Sequence, residues 1–216
     1  MKEPLYDLRR ATIADVRQLC TKYHGYASAG GLATYAFAVF EKRSRGREKV
    51  VAAFAWQPPP YGAAKSACPE APYGVLSLSR MVAVPKQYRL LRHISTPLRR
   101  QMRVLIDRTR WPVLITYHDE GQGHTGHVYK CSGWQPTTRS EVSFYMDSGT
   151  RKSCYSNGLM VLRGKREGTT FIQRWEHRVC PSGEADKWMK DAGWRRRPVP
   201  GKVWKSGNQA FKMEKT

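Results

Sequence analysis

The chain has 216 residues, room for one domain with a sizeable core, and its 40% hydrophobic content is enough to fill that core. Thirty-eight Lys and Arg against seventeen Asp and Glu give a formal charge of +21, which strains a fold by self-repulsion unless a polyanion offsets it. No apolar run is long enough for a membrane span, no sustained basic amphipathic helix suits a membrane surface, and the amino-terminal residues lack the apolar region of a signal peptide.

Residues 11–23 predict a helix, with Thr12 as cap, Asp15 three residues on, and Ile13, Val16, Leu19 and Cys20 on one face. A glycine-rich turn over 23–31 follows. Leu32 to Glu41 and Val50 to Trp56 predict a β-hairpin around the basic turn 42–47. Pro58 to Pro72 reads as a loop. Val75 to Val84 predicts a central strand with Arg80 inside it, and Lys86 to His93 a basic loop. Thr96 as cap and Pro97 at the first position predict a second helix with Leu98, Met102, Leu105 and Ile106 on one face. Arg99, Arg100, Arg103 and Arg110 fall elsewhere on it.

Trp111 to Tyr117 is a continuous apolar run, as in a strand covered on both faces. The next stretch, Tyr117-His-Asp119-Glu-Gly-Gln-Gly-His124-Thr-Gly-His127-Val-Tyr129, reads as a strand end, a glycine-rich loop and a short helix over 126–132. Five groups able to act as acids, bases or metal ligands fall there: His118, Asp119, His124, His127 and Tyr129. Strand carboxyl ends facing helix amino termini are where open α/β sheets bind ligands. Each residue also has a plainer role. Asp119 can cap the following turn, Tyr129 can be core, Thr125 can cap the helix, and His124 and His127 can share a solvated face. Arg80, in an apolar strand, needs a partner such as Asp119, a donor carboxyl or a phosphate.

Beyond residue 150 the composition changes. Residues 151–216 hold sixteen Lys and Arg against six Asp and Glu, about half of the net charge. Thr169 to His177 predicts a strand and Glu184 to Ala192 a helix. Lys130-Cys-Ser-Gly-Trp134 and Lys190-Asp-Ala-Gly-Trp194 are alike, each a helix end with a glycine cap and a packed indole. Trp175, Trp188, Trp194 and Trp204 interleave with Arg195, Arg196, Arg197, Lys202 and Lys205, a pattern found where bases stack beside phosphate-binding cations. Five scattered cysteines without a Cys-x-x-Cys pair argue against a zinc finger and for reduced thiols in a cytoplasmic protein. The element order gives a mixed α/β sheet of α+β type.

That order resembles the GNAT acyltransferase fold. Within it, the residues are similar to those of the phage Mom family: Tyr23-His24-Gly-Tyr26, Leu78-Ser-Arg80-Met-Val, Ser95-Thr96, Tyr117-His-Asp119 and His124-Thr-Gly-His-Val-Tyr129, across roughly residues 10–136. The resemblance implies a DNA-modifying enzyme that converts adenine to N6-carbamoylmethyladenine in phage DNA, inside the bacterial host cytoplasm, and so protects that DNA from restriction. It implies a catalytic domain over 1–150 and a basic extension over 151–216 packed on the same domain and contacting DNA. It implies a site of Tyr23, His24, Tyr26, Asp119 and Tyr129, with iron held by His24 (or Tyr26), Asp119 and Tyr129. Acetyl-CoA or a related donor would be oriented by Arg80, Ser95, Thr96, Arg89 and Arg92. The loop Lys86 to His93 departs from ordinary GNAT enzymes in having no glycine, so side-chain cations would replace backbone amides at the phosphates. Double-stranded DNA would be tracked by Arg99, Arg100, Arg103, Arg195, Arg196, Arg197, Lys202 and Lys205. The oligomeric state is left open, a homodimer being one arrangement. Two other readings remain: a conventional GNAT N-acetyltransferase of a protein or small amine, and a non-enzymatic DNA-binding protein.

Overall fold

A capping box starts the first helix. The Thr12 amide donates to Asp15 Oδ2 at 2.9 Å and the Asp15 amide to Thr12 Oγ1 at 3.2 Å. Helix α1 (Ile13–Tyr23) then buries Val16, Leu19 and Cys20. They pack on Ala53, Ala55 and Val82, the two alanines letting the helix approach the sheet. These coordinates are a computed structural model, and they describe residues 6–23, 33–42, 48–84, 94–147, 150–153, 155–156, 159–160, 167–203 and 209–216.

The expected hairpin is present as β2 (Tyr35–Lys42) and β3 (Glu48–Gln57), preceded by a short strand β1 (Tyr6–Arg10) that its polar sequence conceals. The stretch expected to be a loop holds helix α2 (Tyr61–Ala67), which enters after Pro60 and buries Ala64 and Ala67. Strand β4 (Val75–Ala83) and helix α3 (Ser95–Arg100) follow, and α3 runs on into five residues of π-helix, Gln101–Leu105. Thr96 is not the cap. Ile94 holds that position without a side-chain hydrogen bond, and Pro97 sits inside the first turn. Amides there have no intrahelical acceptor, so a proline costs nothing one or two positions later than expected.

Strand β5 (Val113–Asp119), helix α4 (His127–Cys131) and strand β6 (Gln135–Asp147) come next. After them come β7 (Thr150–Ser153), the small pair β8 (Tyr155–Ser156) and β9 (Leu159–Met160), β10 (Gly168–Arg178), α5 (Ala185–Asp191), β11 (Trp194–Val203) and β12 (Gln209–Lys215). Both glycine caps hold, with Gly133 at φ 84° and Gly193 at φ 87°.

Among the described residues one sheet runs β1-β2-β3-β4-β5-β10-β6-β7, antiparallel throughout except for the parallel pair β4–β5. The compositional change near 150 is therefore no boundary of the sheet, since β10 inserts between β5 and β6. One face carries α3 and α4 over Phe37, Phe54, Trp56, Leu76 and Leu114. The other carries α1 toward β3 and β4, and α2 with α5 over Val75, Val113 and Ile115. Each large side chain so buried contributes about 1.5–3 kcal/mol. The ribbon β11–β12 forms a sheet of its own.

Cys20, Cys68, Cys131 and Cys180 are free thiols, and Cys154 lies outside the described residues. Among the described residues no helix is long and apolar enough to cross a membrane.

Candidate active site

The parallel pair at the centre of the sheet is short. β4 and β5 pair only from Val75–Ser77 to Val113–Ile115. The Thr116 hydroxyl then donates to the Leu78 carbonyl at 3.1 Å, and no β4–β5 pairing follows among the described residues. Each strand keeps its outer partner beyond that point, β3 for β4 and β10 for β5.

A β-bulge lies at the same level. Ala55 pairs with Arg80 and Trp56 with Leu78, so Ser79 is the extra residue; its hydroxyl donates to the Ala55 carbonyl at 3.1 Å. The bulge turns Arg80 to the α1 side of the sheet, where burial pushes the Cys20 thiol up although the Arg80 cation opposes it. Arg80 Nη1 donates to the Ser79 carbonyl at 2.6 Å. Its buried Nε has no partner among the described residues. The expected pairing with Asp119 is not among the described ion pairs.

At the end of β5, His118 and Asp119 point to opposite faces, as strand alternation requires. Asp119 is buried, and its Oδ1 accepts from the Gly121 amide at 2.9 Å and from the Thr170 hydroxyl. It caps the turn Glu120–Gln122 and ties the loop to β10, the plainer role open to it in the sequence.

His118 has a different attachment. The Trp175 indole donates to His118 Nδ1 at 2.7 Å. An indole N–H can only donate, so Nδ1 carries no proton and the neutral ring holds its proton on Nε2. Burial holds this imidazole below its ordinary value, against the pull of nearby Glu120. Gly126 packs directly on the pair. A Cβ there would lie 2.3 Å from Trp175 Cζ2 and 2.9 Å from His118 Cε1, and its φ of 67° also favours glycine. Beside them opens a cleft of about 470 Å³, lined by His118, Glu120, His124, Thr125, Gln173 and Trp175 among others.

The remaining expected site residues are dispersed. Tyr129 is buried, its ring centroid 5.9 Å from Trp134 and 5.8 Å from Trp175. Burial pushes its phenol up, and its hydroxyl bonds Thr116, on the face of β5 opposite to Asp119. Asp119 and Tyr129 therefore do not converge, and His24 and Tyr26 lie outside the described residues. Among the described residues no group of three His, Cys, Asp or Glu could hold a metal ion. The described residues do not fit the expected iron, since Asp119 and Tyr129 lie on opposite faces of β5 and cannot share one ion.

His124 and His127 do not share a helical face, because α4 begins at His127. His124 lines the cleft, while His127 Nε2 lies 3.3 Å from Cys131 Sγ. Thr125 Oγ1 accepts from the His127 amide at 3.4 Å. Tyr23 ends α1 and packs against the α1 core. Ser95 is buried at the start of α3 and Thr96 is exposed; Arg89 and Arg92 lie outside the described residues.

Arg99, Arg100 and Arg103 are exposed along α3 and its π-helical continuation. Arg195, Arg196 and Arg197 are not one block. Arg195 donates to the Lys190 carbonyl, Arg196 stacks over Tyr73 at 4.8 Å and Phe211 at 4.3 Å, and Arg197 Nε lies 3.7 Å from Glu214. The Lys202 side chain and all of Lys205 lie outside the described residues.

The fold has known counterparts. NAA60 of Arabidopsis thaliana, solved with a bisubstrate analogue, superposes with a TM-score of 0.53 at 9% identity over 80% of this chain and 97% of that one. The ribosomal-protein-S18-alanine N-acetyltransferase of Escherichia coli gives 0.46 at 10% identity over 83% and 97%, and the spermidine N-acetyltransferase of Vibrio cholerae, solved with CoA and spermine, 0.47 at 9% over 81% and 95%. The first of these supports a GNAT-like fold, the class expected from the element order. A profile of the Mom protein family matches residues 6–188, and the chain belongs to that family. No curated protein sequence matches it.

Sequence reasoning found the strand-end cluster but not its main tie. Trp175 stands 57 residues from His118 on another strand, and no local pattern joins them.

Proposed function

We propose that this protein is a transferase that modifies the N6 amine of adenine in DNA, giving N6-carbamoylmethyladenine. The observation that carries the reading is the Mom family match over residues 6–188, with a polar cleft at the carboxyl end of β5. That end, beside the unpaired stretch of β4 and β5, is where α/β sheets bind ligands.

An adenine N6 lies inside the duplex, so the base must be extruded to enter a cleft. The exocyclic amine is a poor nucleophile and needs polarising groups around it. His118 offers an Nε2–H donor whose tautomer is fixed before substrate arrives. Gln173 and His124 offer further polar contacts at the same cleft. Asp119, on the face of β5 opposite to His118, positions the loop that carries His124. Tyr129, set between two indoles, holds Trp175 and through it His118. A coenzyme A thioester or related donor would supply the activated group. Arg80, whose buried Nε has no partner among the described residues, and Ser95 would hold it.

The test is mass spectrometry of nucleosides from DNA of cells expressing the protein. A new adenosine derivative with the carbamoylmethyl mass, lost in the His118→Asn variant, is the expected result. Unmodified DNA together with acetylated polyamine or peptide would replace this reading with conventional N-acetylation.

A further inference from the structure

The ribbon β11–β12 is joined to the body at its root. The Trp194 indole donates to Thr109 Oγ1 at 3.1 Å, the Thr216 amide to the Gly193 carbonyl at 3.0 Å, and Arg195 Nη1 to the Lys190 carbonyl near the end of α5. An isolated two-stranded ribbon is marginally stable in water. Residues 194–216 carry seven Lys and Arg against one Glu. Strand alternation sorts the described ones onto two faces. Arg196, opposite Met213, turns inward onto Tyr73 and Phe211. Arg197, opposite Lys212, turns outward. Of the three described cations on that face, Arg195 bonds the Lys190 carbonyl, while Lys212 Nζ at 2.6 Å and Arg197 Nε at 3.7 Å lean on the one carboxylate of Glu214, so the face keeps a net positive charge. The Arg197, Lys212 and Glu214 side chains are at least 42% exposed. Pro198 and Pro200 remove two amide donors from β11, which disfavours pairing with a further strand. The ribbon is therefore built to present side chains rather than a backbone edge.

We propose that the outward face of the β11–β12 ribbon, through Arg197 and Lys212, seats in the major groove of duplex DNA. This rests on the DNA reading above. The major groove, about 12 Å wide, admits a two-stranded ribbon, and an arginine fork matches the O6 and N7 acceptors of guanine. The ribbon then supplies grip and sequence context, while the cleft on the sheet receives the extruded base.

The experiment uses the full chain and a duplex modified sparsely with dimethyl sulfate, which marks guanine N7 in the major groove and adenine N3 in the minor groove. Binding interference at guanine N7 is expected with the natural protein. Arg197→Ala with Lys212→Ala should weaken binding by ~10–100-fold, flatten the salt dependence by about two phosphate equivalents and remove that interference. Glu214→Gln, which frees both cations, should tighten binding, and it keeps the test decisive should the double variant not fold. Interference at adenine N3 alone, or unchanged binding by both variants, overturns the ribbon assignment while the DNA reading stands. No binding of the natural protein to any duplex at low salt overturns both.

Discussion

His118 cannot gain a second proton without losing the Trp175 hydrogen bond, because that bond needs a lone pair on Nδ1. Nitrogen NMR of the folded protein should show the neutral ring with its proton on Nε2, and Trp175→Phe should abolish that preference. Gly126 keeps the pair in register. Gly126→Ala meets Trp175 at 2.3 Å from a positive φ, which should cost roughly 2 kcal/mol or more and lower the denaturation midpoint. His177 provides the pH dependence. Burial and the Arg108 cation hold it at about 4, against about 6.5 in an unfolded chain. A depressed folded value means that its contribution is complete above pH 6.5 and fades as pH falls toward 4. Thermal midpoints measured across that window should fall, and His177→Gln should flatten the decline.

At the scale of elements, the strand-end loop is held from below. Asp119 accepts from Gly121 and Thr170, so Asp119→Ala should lose about 1 kcal/mol, since the buried Thr170 hydroxyl loses its acceptor while the exposed Gly121 amide keeps Thr170 Oγ1. Asp119→Asn still accepts from Gly121 but cannot take a proton, so its folded stability should stay near that of the natural protein. Nucleoside mass spectrometry of the Asn variant should find modification retained, as a positioning role requires; lost modification would make Asp119 the base that takes the N6 proton. Much at this scale was legible in the sequence. The Thr12–Asp15 box, the hairpin, the apolar run of β5 and the Gly-Trp helix ends all follow from short-range rules. What was not legible was of two kinds. α2 hides because Pro58–Pro60 and a small-residue sequence mask its alanine face. The bulge at Ser79 and the tie between Trp175 and His118 depend on which strands become neighbours, which no window of a few residues contains.

At the scale of the molecule, the +21 charge is not all available to a partner. Arg108 and Arg110 are buried enough that desolvation brings each down to about 10. Arg174 Nη2 lies 2.9 Å and Arg178 Nε 3.3 Å from the buried Glu176 carboxylate. A count of cations in the last third overstates the charge free at its surface, because β10 pairs two of them with Glu176 inside. The sheet order has a second consequence. A fragment ending at residue 150 lacks the strand between β5 and β6, so it should give no cooperative unfolding transition and rapid proteolysis.

The position of β10 also sets the order of events in synthesis. Trp175 emerges from the ribosome after His118, His124 and Gly126 have waited for some fifty residues, several seconds at ~5–20 residues per second. Until then His118 has no anchor and β5 has one edge open. The cleft is a late product of translation, and a nascent chain lacks it until β10 has emerged.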